Sequence, residues 1–544
     1  MQITQSVLNV PLRAAWNRVA ERPRFWRPAL PSPLQALTVL IVALVSLPLG
    51  YLFIRALGAG EAGVAYLLDA RTLSVVVNSL VLTVAVVGAS ALIGVPFAWL
   101  TTRTDLPHRR LWLVGGLLSL VIPSYIGAMM YIAAFGPRGL LQEALEPLGV
   151  TRLPSIYGFW GAWLAITLFT YPYVVLPVRA ALLNMDPALD ESARSLGLSR
   201  WQVFFRVTLP QLRPAMAAGM LLTALYTLSD FGAVALMRYD AFTRVIYLQY
   251  TSSFDRNRAA ILSLVLVAVT LGLLVIERRA ASKRHNYRIG TGCQRQMPTV
   301  PLGRWKAPAL AFCGLLVLVG VVTPVFVLVL WVVRGNPDLS LDLIKPALNT
   351  VSAGGMTALV VGVVALPPAL LSARSSSRVN RWLVRFTYLG NVLPGLVVAL
   401  ALVFFAANYL PSVYQTMPLL ILGYSTRFLP LSIGATSSAL TQINPRYEEV
   451  GRSLGLRSWQ VTLRIVAPLA RAGILAGMAL VFLSAMKELP TTLLLSPTGF
   501  ETLPTEIWTA HSQVQMARLG APSLVLVAVS ALSLLVMLRQ EKKG

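Results

Sequence analysis

The sequence predicts an all-α polytopic membrane protein with about 12 transmembrane helices, arranged as two parallel six-helix repeats. Of its 544 residues, 56% are hydrophobic and only 12% are charged, whereas soluble domains carry about 25% charged residues. The apolar residues form runs long enough to cross about 30 Å of hydrocarbon. A patterned polar segment also occurs twice, 258 residues apart. These features exclude soluble, fibrous and disordered proteins.

Hydropathy along the chain gives twelve candidate spans, six before and six after a basic stretch in the middle. Prolines at 172 and 430 interrupt the fourth and tenth spans and make them the least certain to be straight helices. The candidate spans are 35–57, 74–101, 111–135, 156–183, 214–236, 259–277, 307–333, 348–372, 383–408, 415–440, 470–495 and 516–538.

The spans divide the chain into five regions. A basic arm (1–34) precedes a first transmembrane domain (35–277), and a basic linker (278–306) joins it to a second domain (307–538), followed by a short tail (539–544). The extended arm and long first apolar run are typical of a signal anchor rather than a cleaved leader.

The basic residues predict the orientation of the chain. The net charge is +25, and most of the basic residues fall in segments that share one side if the N-terminus is cytoplasmic. Because cytoplasmic loops of membrane proteins are rich in Lys and Arg, both termini are predicted inside a bacterial plasma membrane. The positive charge is therefore a topology signal, and no nucleic acid partner is expected. Two cysteines and three scattered histidines indicate neither a disulfide framework nor a metal centre.

The two halves are related by sequence. The segment Glu191–Pro210 recurs at Glu449–Pro468, with Glu, Arg, Ser, Leu, Gly, Leu, Trp, Gln, Val, Arg and Pro matched in place. Earlier in each half the spacing is 271 residues, which places 13 additional residues near 138–155. The matched earlier residues are Asn78 with Asn349, Pro96 with Pro367, Arg103 with Arg374, and Pro123 with Pro394. Six spans per half give parallel repeats around an axis along the membrane normal.

Each copy of the repeated segment lies in a predicted cytoplasmic loop between the fourth and fifth spans of its half. Asp186-Pro187 and Asn444-Pro445 are typical helix starts, and acids in the next turn suit the positive end of the helix dipole. Gly197 and Gly455 favour a helix end. A second short helix follows, with Trp201, Gln202 and Arg206 in the first copy and Trp459, Gln460 and Arg464 in the second.

Each repeated segment is therefore predicted to form a helix–turn–helix that presents a pair of leucines: Leu196 and Leu198 in the first copy, and Leu454 and Leu456 in the second. One interpretation is that this segment only reverses the direction of the chain and packs on the helices of its own half. Because the loop is kept in two halves that differ strongly elsewhere, a repeated docking surface is favoured.

The pattern Glu191-Ser-Ala-x3-Gly197-x9-Val-x-Leu-Pro210 resembles the EAA loop of permease subunits of ABC importers. The second copy departs from it at Val450-Gly451, which replaces the small pair, and at Ala467, which replaces Leu. The resemblance covers nearly the whole chain and implies two fused permease domains of the type I (MetI-like) fold, with EAA loops at about 186–211 and 444–469.

In that family each loop fits a groove of a cytoplasmic ATPase, so the resemblance implies two ATPase subunits and a periplasmic or lipoprotein substrate-binding protein as partners. The implied coupling residues are Glu191, Ala193, Gly197, Leu198, Trp201, Arg206 and Pro210 in the first loop, and Glu449, Gly451, Gly455, Leu456, Trp459, Arg464 and Pro468 in the second.

This chain is not expected to be an enzyme or to bind a cofactor. It has no Gly-x4-Gly-Lys-[Ser/Thr] sequence, which is the usual phosphate-binding loop. ATP and Mg²⁺ would be used by the separate ATPase.

Asp230 and Glu488 are acids inside predicted spans at the same 258-residue spacing. Ionisable residues in spans are costly and often functional, so these two and Lys487 are candidates for the translocation path. Carboxylates would attract a hard cation, although no metal ligand set is assigned. Alternatively, each acid caps a helix break near Gly232 or Pro490, or Lys487 pairs with an acid.

The stretches Asp230-Phe-Gly and Lys487-Glu-Leu-Pro-x-Thr-x-Leu-Leu resemble those of ferric-iron importer permeases. This resemblance implies ferric iron as substrate, with thiamine or another small solute such as polyamine or phosphonate left open. A major-facilitator transporter is a distant alternative, because its signature would lie between spans two and three. A membrane enzyme would need a cluster of catalytic side chains, which the sequence does not suggest.

Overall fold

The computed structural model describes residues 33–185, 187–252, 256–281, 299–334, 343–375 and 377–540. Nearly all of the basic arm, most of the linker, Asp186 and residues 541–544 lie outside these ranges, so the predictions made for them are not addressed by the structure. Within the described ranges the regular elements are helices, and one isolated bridge joins Thr104 to Val300.

The first half contains fourteen α-helices among its described residues, which we number in chain order. They are α1 (Pro33–Leu57), α2 (Gly60–Leu67), α3 (Ala70–Arg103), α4 (Arg109–Leu117), α5 (Ser124–Phe135), α6 (Leu140–Leu145), α7 (Phe159–Thr170), α8 (Pro172–Asn184), α9 (Pro187–Ser195), α10 (Arg200–Val203), α11 (Leu209–Ser229), α12 (Gly232–Leu236), α13 (Phe242–Thr251) and α14 (Arg256–Ala281).

The described residues of the second half contain fifteen. They are α15 (Lys306–Val317), α16 (Thr323–Arg334), α17 (Ile344–Val364), α18 (Leu366–Arg374), α19 (Arg378–Thr387), α20 (Leu389–Val392), α21 (Gly395–Tyr409), α22 (Met417–Gln442), α23 (Arg446–Ser453), α24 (Ser458–Val461), α25 (Ala467–Leu469), α26 (Arg471–Met486), α27 (Pro490–Leu495), α28 (Leu503–Ser512) and α29 (Met516–Gln540).

All twelve predicted spans coincide with helix, but several are interrupted. Among the described residues, six helical stretches are long and apolar enough to cross a bilayer: Pro33–Leu57, Ala70–Arg103, Phe159–Asn184, Arg256–Ile276, Gly303–Arg334 and Ile344–Arg374. Two bent helix pairs raise the number to eight. The remaining predicted spans are shorter or less apolar helices, including α11, α21, α22 and α29.

Prolines explain the positions of several breaks. Ile122 and Leu393 precede the matched Pro123 and Pro394, and both have extended backbones with ψ of 117° and 123°. A proline clashes with a helical conformation of the residue before it, so the third and ninth spans break at matched places. The prolines of the fourth and tenth spans differ: α7 ends before Pro172, whereas α22 continues through Pro430.

The fifth and eleventh predicted spans are also interrupted. The predicted span 214–236 consists of α11 and α12, and 470–495 consists of α26 and α27. The helix breaks that the sequence left open near Gly232 and Pro490 are therefore present. Hydropathy alone does not place the breaks because the residues on both sides are apolar. An acid that the sequence pointed to lies at each break: Asp230 in the first half, and Glu488, which follows Lys487, in the second.

The first helix of each half packs on the other half. Helix α1 lies against α19 and α21, while α15 and α16 lie against α4 and α5. Gln35 Nε2 donates to Asn380 Oδ1 at 2.8 Å, and the Tyr131 hydroxyl donates to the Val319 carbonyl at 3.0 Å. The two repeats are therefore interlocked rather than placed side by side.

The end of the linker is fixed to the end of α3. The Val300 N–H donates to the Arg103 carbonyl at 2.8 Å, and the Leu302 N–H donates to Asp105 Oδ1 at 2.8 Å. Lys306 Nζ lies 2.9 Å from Asp105 Oδ2. The hydrogen bond from Lys306, followed by that from Leu302, lowers the pKa of Asp105. These contacts hold the start of the second half beside the first.

Candidate functional site

Both repeated loops form the predicted helix–turn–helix. In the first loop (186–211) α9 is followed by α10, and in the second (444–469) α23 is followed by α24. Gly197 and Gly455 end the leading helices with φ of +84° and +85°. A Cβ at either glycine would meet no atom within 4 Å. The left-handed backbone, rather than crowding, is therefore what favours glycine.

A glutamine caps the second helix of each loop. The backbone N–H groups of Ser199 and Arg457 donate to Oε1 of Gln202 and Gln460, each at 2.8 Å. The sequence singled out both glutamines without assigning them this role. A π-helical turn follows in each copy, at Phe204–Thr208 and Thr462–Val466. The fine structure of the loop is thus repeated along with its sequence.

Each loop exposes large apolar side chains. Leu196 and Leu454 are 83% and 77% exposed, and Trp201 and Trp459 are 56% and 58% exposed. Of the predicted leucine pairs only the first member is exposed, because Leu198 and Leu456 are half-buried. Exposed apolar patches of this kind mark interaction surfaces.

The coupling residues predicted from the family divide between this surface and the loop interior. Glu191, Arg206, Glu449, Arg464 and Pro468 are exposed, whereas Pro210 is half-buried and Ala193 and Gly451 are buried. A Cβ on Gly451 would lie 2.6 Å from Ile465 Cδ1. The positions matched to Gly451 and Ile465 hold Ala193 and Val207 in the first loop. The first loop therefore has a larger residue than Gly451 at the first position and a smaller residue than Ile465 at the second.

A matched ion pair attaches each loop to its own bundle. Arg103 Nη2 lies 2.8 Å from Asp190 Oδ2, with both side chains nearly buried. In the second half Arg374 Nε lies 2.8 Å from Glu448 Oε1, and Arg374 also donates to the Ile443 carbonyl at 3.0 Å. The repeat matches the two arginines without indicating a partner for them, and the sequence assigns the acids to the helix dipole. A matched basic residue opposite a matched acid was the signal that could have found the pair.

Asp230 lies at the break between α11 and α12. Its Oδ1 accepts the Ala233 N–H at 2.9 Å, and its Oδ2 accepts a hydrogen bond from the Ser124 hydroxyl. The Thr243 hydroxyl donates to the Asp230 backbone carbonyl at 2.6 Å. This acid therefore caps a helix, which is one of the two interpretations that the sequence left open.

Glu488 lies at the matched break between α26 and α27. Its Oε1 accepts from the Thr491 hydroxyl at 2.7 Å, and its Oε2 pairs with Arg427 of α22. Lys487 forms no ion pair among the residues that the structure describes. The structure thus pairs Glu488 with Arg427, a basic side chain of another span that the sequence did not indicate.

Two stretches of the chain, residues 94–279 and 359–541, match the protein family described as binding-protein-dependent transport system inner membrane components. The chain belongs to this family. It is a fused, two-domain permease component of the ABC importer class, carried by multi-pass apolar helices in the inner membrane. This assignment decides against the major-facilitator alternative.

Relatives of this permease include both fused and single-domain chains. It is 31% identical over 519 residues to the Fe(3+)-transport system permease protein FbpB 2 of Haemophilus influenzae, covering 94% of this chain and 97% of that one. It is 25% identical to the molybdate/tungstate transport system permease protein WtpB of Thermococcus kodakarensis, with 46% of this chain covering 95% of that relative. The molybdenum transport system permease protein ModB of Escherichia coli is 35% identical over 26% of this chain and 60% of its own length. About half of this chain therefore corresponds to a complete single permease.

Proposed function

We propose that this permease imports ferric iron by alternating access, driven by two cytoplasmic ATPase subunits that bind its two repeated loops. The observation that carries the proposal is the pair of matched helix–turn–helix loops, each with an exposed leucine and tryptophan and each fixed by an ion pair to the end of a span. A surface that is repeated in this way fits two copies of one partner.

The proposed partners follow from the family and from the loops. Each ATPase would receive one loop and would use ATP and Mg²⁺, since this chain has no phosphate-binding loop sequence. A periplasmic or lipoprotein binding protein would deliver the substrate to the opposite face. Both termini and both loops would be cytoplasmic, in agreement with the distribution of basic residues.

The ion pairs supply the mechanical connection that this mechanism needs. When the ATPases close, each would displace the loop that it holds. Because Asp190 is paired with Arg103 at the end of α3, and Glu448 with Arg374 at the end of α18, a moving loop would pull on its own bundle. The halves would then rock between outward-open and inward-open arrangements, as expected for parallel repeats around a central path.

Ferric iron is favoured over thiamine, polyamine or phosphonate for two reasons. The ferric permease of Haemophilus influenzae aligns over nearly its whole length. The described interior also places two carboxylates at the matched helix breaks, and oxygen ligands suit hard cations. The molybdate and molybdenum permeases align with half of this chain or less.

The coupling role is tested by the double variant Gly197→Pro with Gly455→Pro. Proline cannot adopt φ of +84° or +85°, so both loops should lose their shape while the spans stay inserted. We expect loss of ATPase co-purification and loss of ferric-iron uptake in reconstituted vesicles.

A matched control is Gly149→Pro. Gly149 has φ of +85°, meets no atom within 4 Å of a built Cβ, and donates its N–H to the Glu146 carbonyl at 2.9 Å. The Gly197 N–H makes the equivalent hydrogen bond, to the Arg194 carbonyl, also at 2.9 Å. In Gly149→Pro the proline meets the same forbidden φ, but outside the two loops, so this variant should still bind the ATPase. Normal ATPase binding and uptake by the double variant would refute the proposed coupling.

A further inference from the structure

An apolar groove lies beside the first repeated loop. It has a volume of about 710 Å³ and is bordered by the end of α3, the first loop, the start of α11, the end of the linker (residues 300–305) and the start of α15. Apart from three tryptophans, the polar side chains that line it are Arg103, Asp190, Arg194 and Thr208. A volume of this size is typical of a ligand-binding site, and the lining suits an occupant that is mostly hydrocarbon.

Aromatic side chains form the walls of the groove. The Trp99 and Phe204 rings pack edge-to-face with centroids 5.4 Å apart, and Trp201 stacks on Phe205 with centroids 6.2 Å apart. Trp305, from the end of the linker, packs against Trp201 with centroids 6.4 Å apart. Phe205 and Trp305 are nevertheless more than half exposed. The groove is therefore held in shape by its own walls and is open to an occupant.

The aromatic lining is not a requirement of the loop itself. The matched positions of the second half hold aliphatic or small residues: Leu370 for Trp99, Thr462 for Phe204 and Leu463 for Phe205. The second loop still has the same helix–turn–helix and the same π-helical turn. The aromatic residues of the first half are therefore explained by what the groove holds rather than by the shape of the loop.

The groove has the depth of one membrane leaflet. It lies at the end of the candidate span Ala70–Arg103 and at the start of the candidate span Gly303–Arg334. Leu92 and Arg103 both line it and are eleven residues apart on α3, which at about 1.5 Å per residue corresponds to about 16 Å. One leaflet supplies half of a hydrocarbon core of about 30 Å. An acyl chain of one leaflet therefore matches the groove in length.

The two ends of the groove differ in polarity. Toward the middle of the spans it is lined by Leu92, which is 78% exposed, and by Met216. Toward the loop it is lined by Arg103 and Asp190, which form an ion pair, and by Arg194. Arg194 is exposed and has no ion pair within the part of the chain that the structure describes. The groove is thus apolar at the depth of the hydrocarbon and carries one uncompensated positive charge beside the loop.

We propose that this groove binds one anionic phospholipid of the cytoplasmic leaflet, with an acyl chain between α3 and α15 and the phosphate at Arg194. The proposal rests on the function proposed above only for the orientation, which places both loops in the cytoplasm. Basic pockets between transmembrane helices on the cytoplasmic side bind anionic headgroups, and tryptophans concentrate where a membrane meets water. A peptide fits less well, because its backbone N–H and C=O groups need partners and these walls offer few.

The test is lipid binding to the full-length permease, purified in detergent and stripped of its own lipids. Native mass spectrometry would count the lipid molecules retained when phosphatidylglycerol or, as a neutral comparison, phosphatidylcholine is added. We expect one phosphatidylglycerol to be held more tightly than any phosphatidylcholine. Arg194→Gln should weaken phosphatidylglycerol binding about 5-fold, the effect of one basic residue at an anionic membrane surface, and Arg194→Lys should restore it. Equal binding of the two lipids to the wild type would overturn the proposal.

The matched control is Arg452→Gln, which makes the same change at the corresponding place in the second loop. Arg452 is also exposed, and its Nε donates to the Glu448 carbonyl of its own helix at 3.3 Å. Because Arg452 lies outside the groove, this variant should retain phosphatidylglycerol at the wild-type level. Equal weakening by Arg194→Gln and Arg452→Gln would show that the lipid responds only to the general surface charge, and it would overturn the site.

The walls of the groove are tested by Trp99→Leu with Phe205→Leu, which introduces the residues of the second half. This variant loses contacts with the acyl chain but keeps Arg194, so it should retain less of both lipids. Co-purification of the ATPase with the variant would show that the first loop is still folded. Wild-type retention of phosphatidylglycerol in a folded variant would overturn the binding of an acyl chain in this groove.

Two other occupants give different results in the same measurement. Displacement of phosphatidylglycerol by an equal concentration of soluble glycerol phosphate would show that Arg194 binds only a free anion. Displacement by the purified ATPase would show that the groove is part of the ATPase-binding surface. Either result would overturn the lipid site. Because the measurement uses neither iron nor ATP hydrolysis, failure of lipid binding would leave the proposed import intact, and a permease that imports another solute would still bind the lipid.

Discussion

The contact between Arg427 and Glu488 sets the cost of changing either residue. Glu488 is 7% exposed on its side chain, so removal of Arg427 would leave a buried carboxylate without its cation. Breaking a buried pair from one side typically costs about 3–5 kcal/mol. We therefore expect Arg427→Met to lower the free energy of unfolding by a few kcal/mol, measured by chemical denaturation in detergent.

The double variant Arg427→Met with Glu488→Gln is the control for this prediction. It removes both charges, and replacing a buried pair by neutral groups is often close to neutral in stability. The double variant should recover most of the lost stability. If the single variant is as stable as wild type, the pair is not buried and paired in the native state.

Single residues also show what the sequence could and could not predict. Gly197 and Gly455 were assigned correctly as helix ends, because a left-handed backbone has a local requirement that the sequence carries. Asp230 and Glu488 were found because acids in apolar runs stand out. Arg427 could not be singled out from the sequence, since its importance depends on its contact with Glu488 in another span.

At the level of elements, the twelve spans could be predicted from apolar runs, and the parallel repeat from a fixed spacing. Hydropathy could not place the breaks after Ser229 and Met486, because apolar residues continue on both sides. For the attachment of each loop to its bundle, the sequence offers only the repeat itself, in which an arginine and an acid are each matched between the halves. The first attachment joins Arg103 to Asp190, 87 residues apart, and no local pattern specifies that contact.

The two attachments are chemically alike but differ in burial, which gives a prediction at this scale. The side chains of Arg103 and Asp190 are 6% and 9% exposed, whereas those of Arg374 and Glu448 are 19% and 18% exposed. Because an unpaired charge costs more when it is more deeply buried, Arg103→Met should release its loop more fully than Arg374→Met. We expect the greater loss of ATPase co-purification from Arg103→Met.

The matched control for the first loop is Arg103→Met with Asp190→Asn, which leaves no charge unpaired. It should regain part of the ATPase binding because α9 no longer carries a buried, uncompensated carboxylate. Equal effects of the two single arginine variants would show that burial of the pair does not control how firmly the loop is held.

The whole molecule is held together by the exchange of first helices between the halves. Helix α1 packs on α19 and α21 of the second half, and α16 packs on α5 of the first. The Tyr51 ring packs edge-to-face against Phe405 with ring centroids 6.0 Å apart, and the Tyr250 ring packs in the same way against Phe404 with centroids 5.6 Å apart. Neither half can bury these surfaces alone, so assembly should not depend on an unbroken linker.

We therefore expect residues 1–290 and 291–544, expressed as separate chains in one cell, to co-purify as a complex that retains ferric uptake. The second fragment keeps Val300, Leu302 and Lys306, which attach to the end of α3 in the first. Each fragment expressed alone should be degraded or aggregate, because an apolar surface that belongs against a partner remains uncovered. Failure of the co-expressed fragments to associate, with each stable by itself, would show that the halves are independent bundles joined only by the chain.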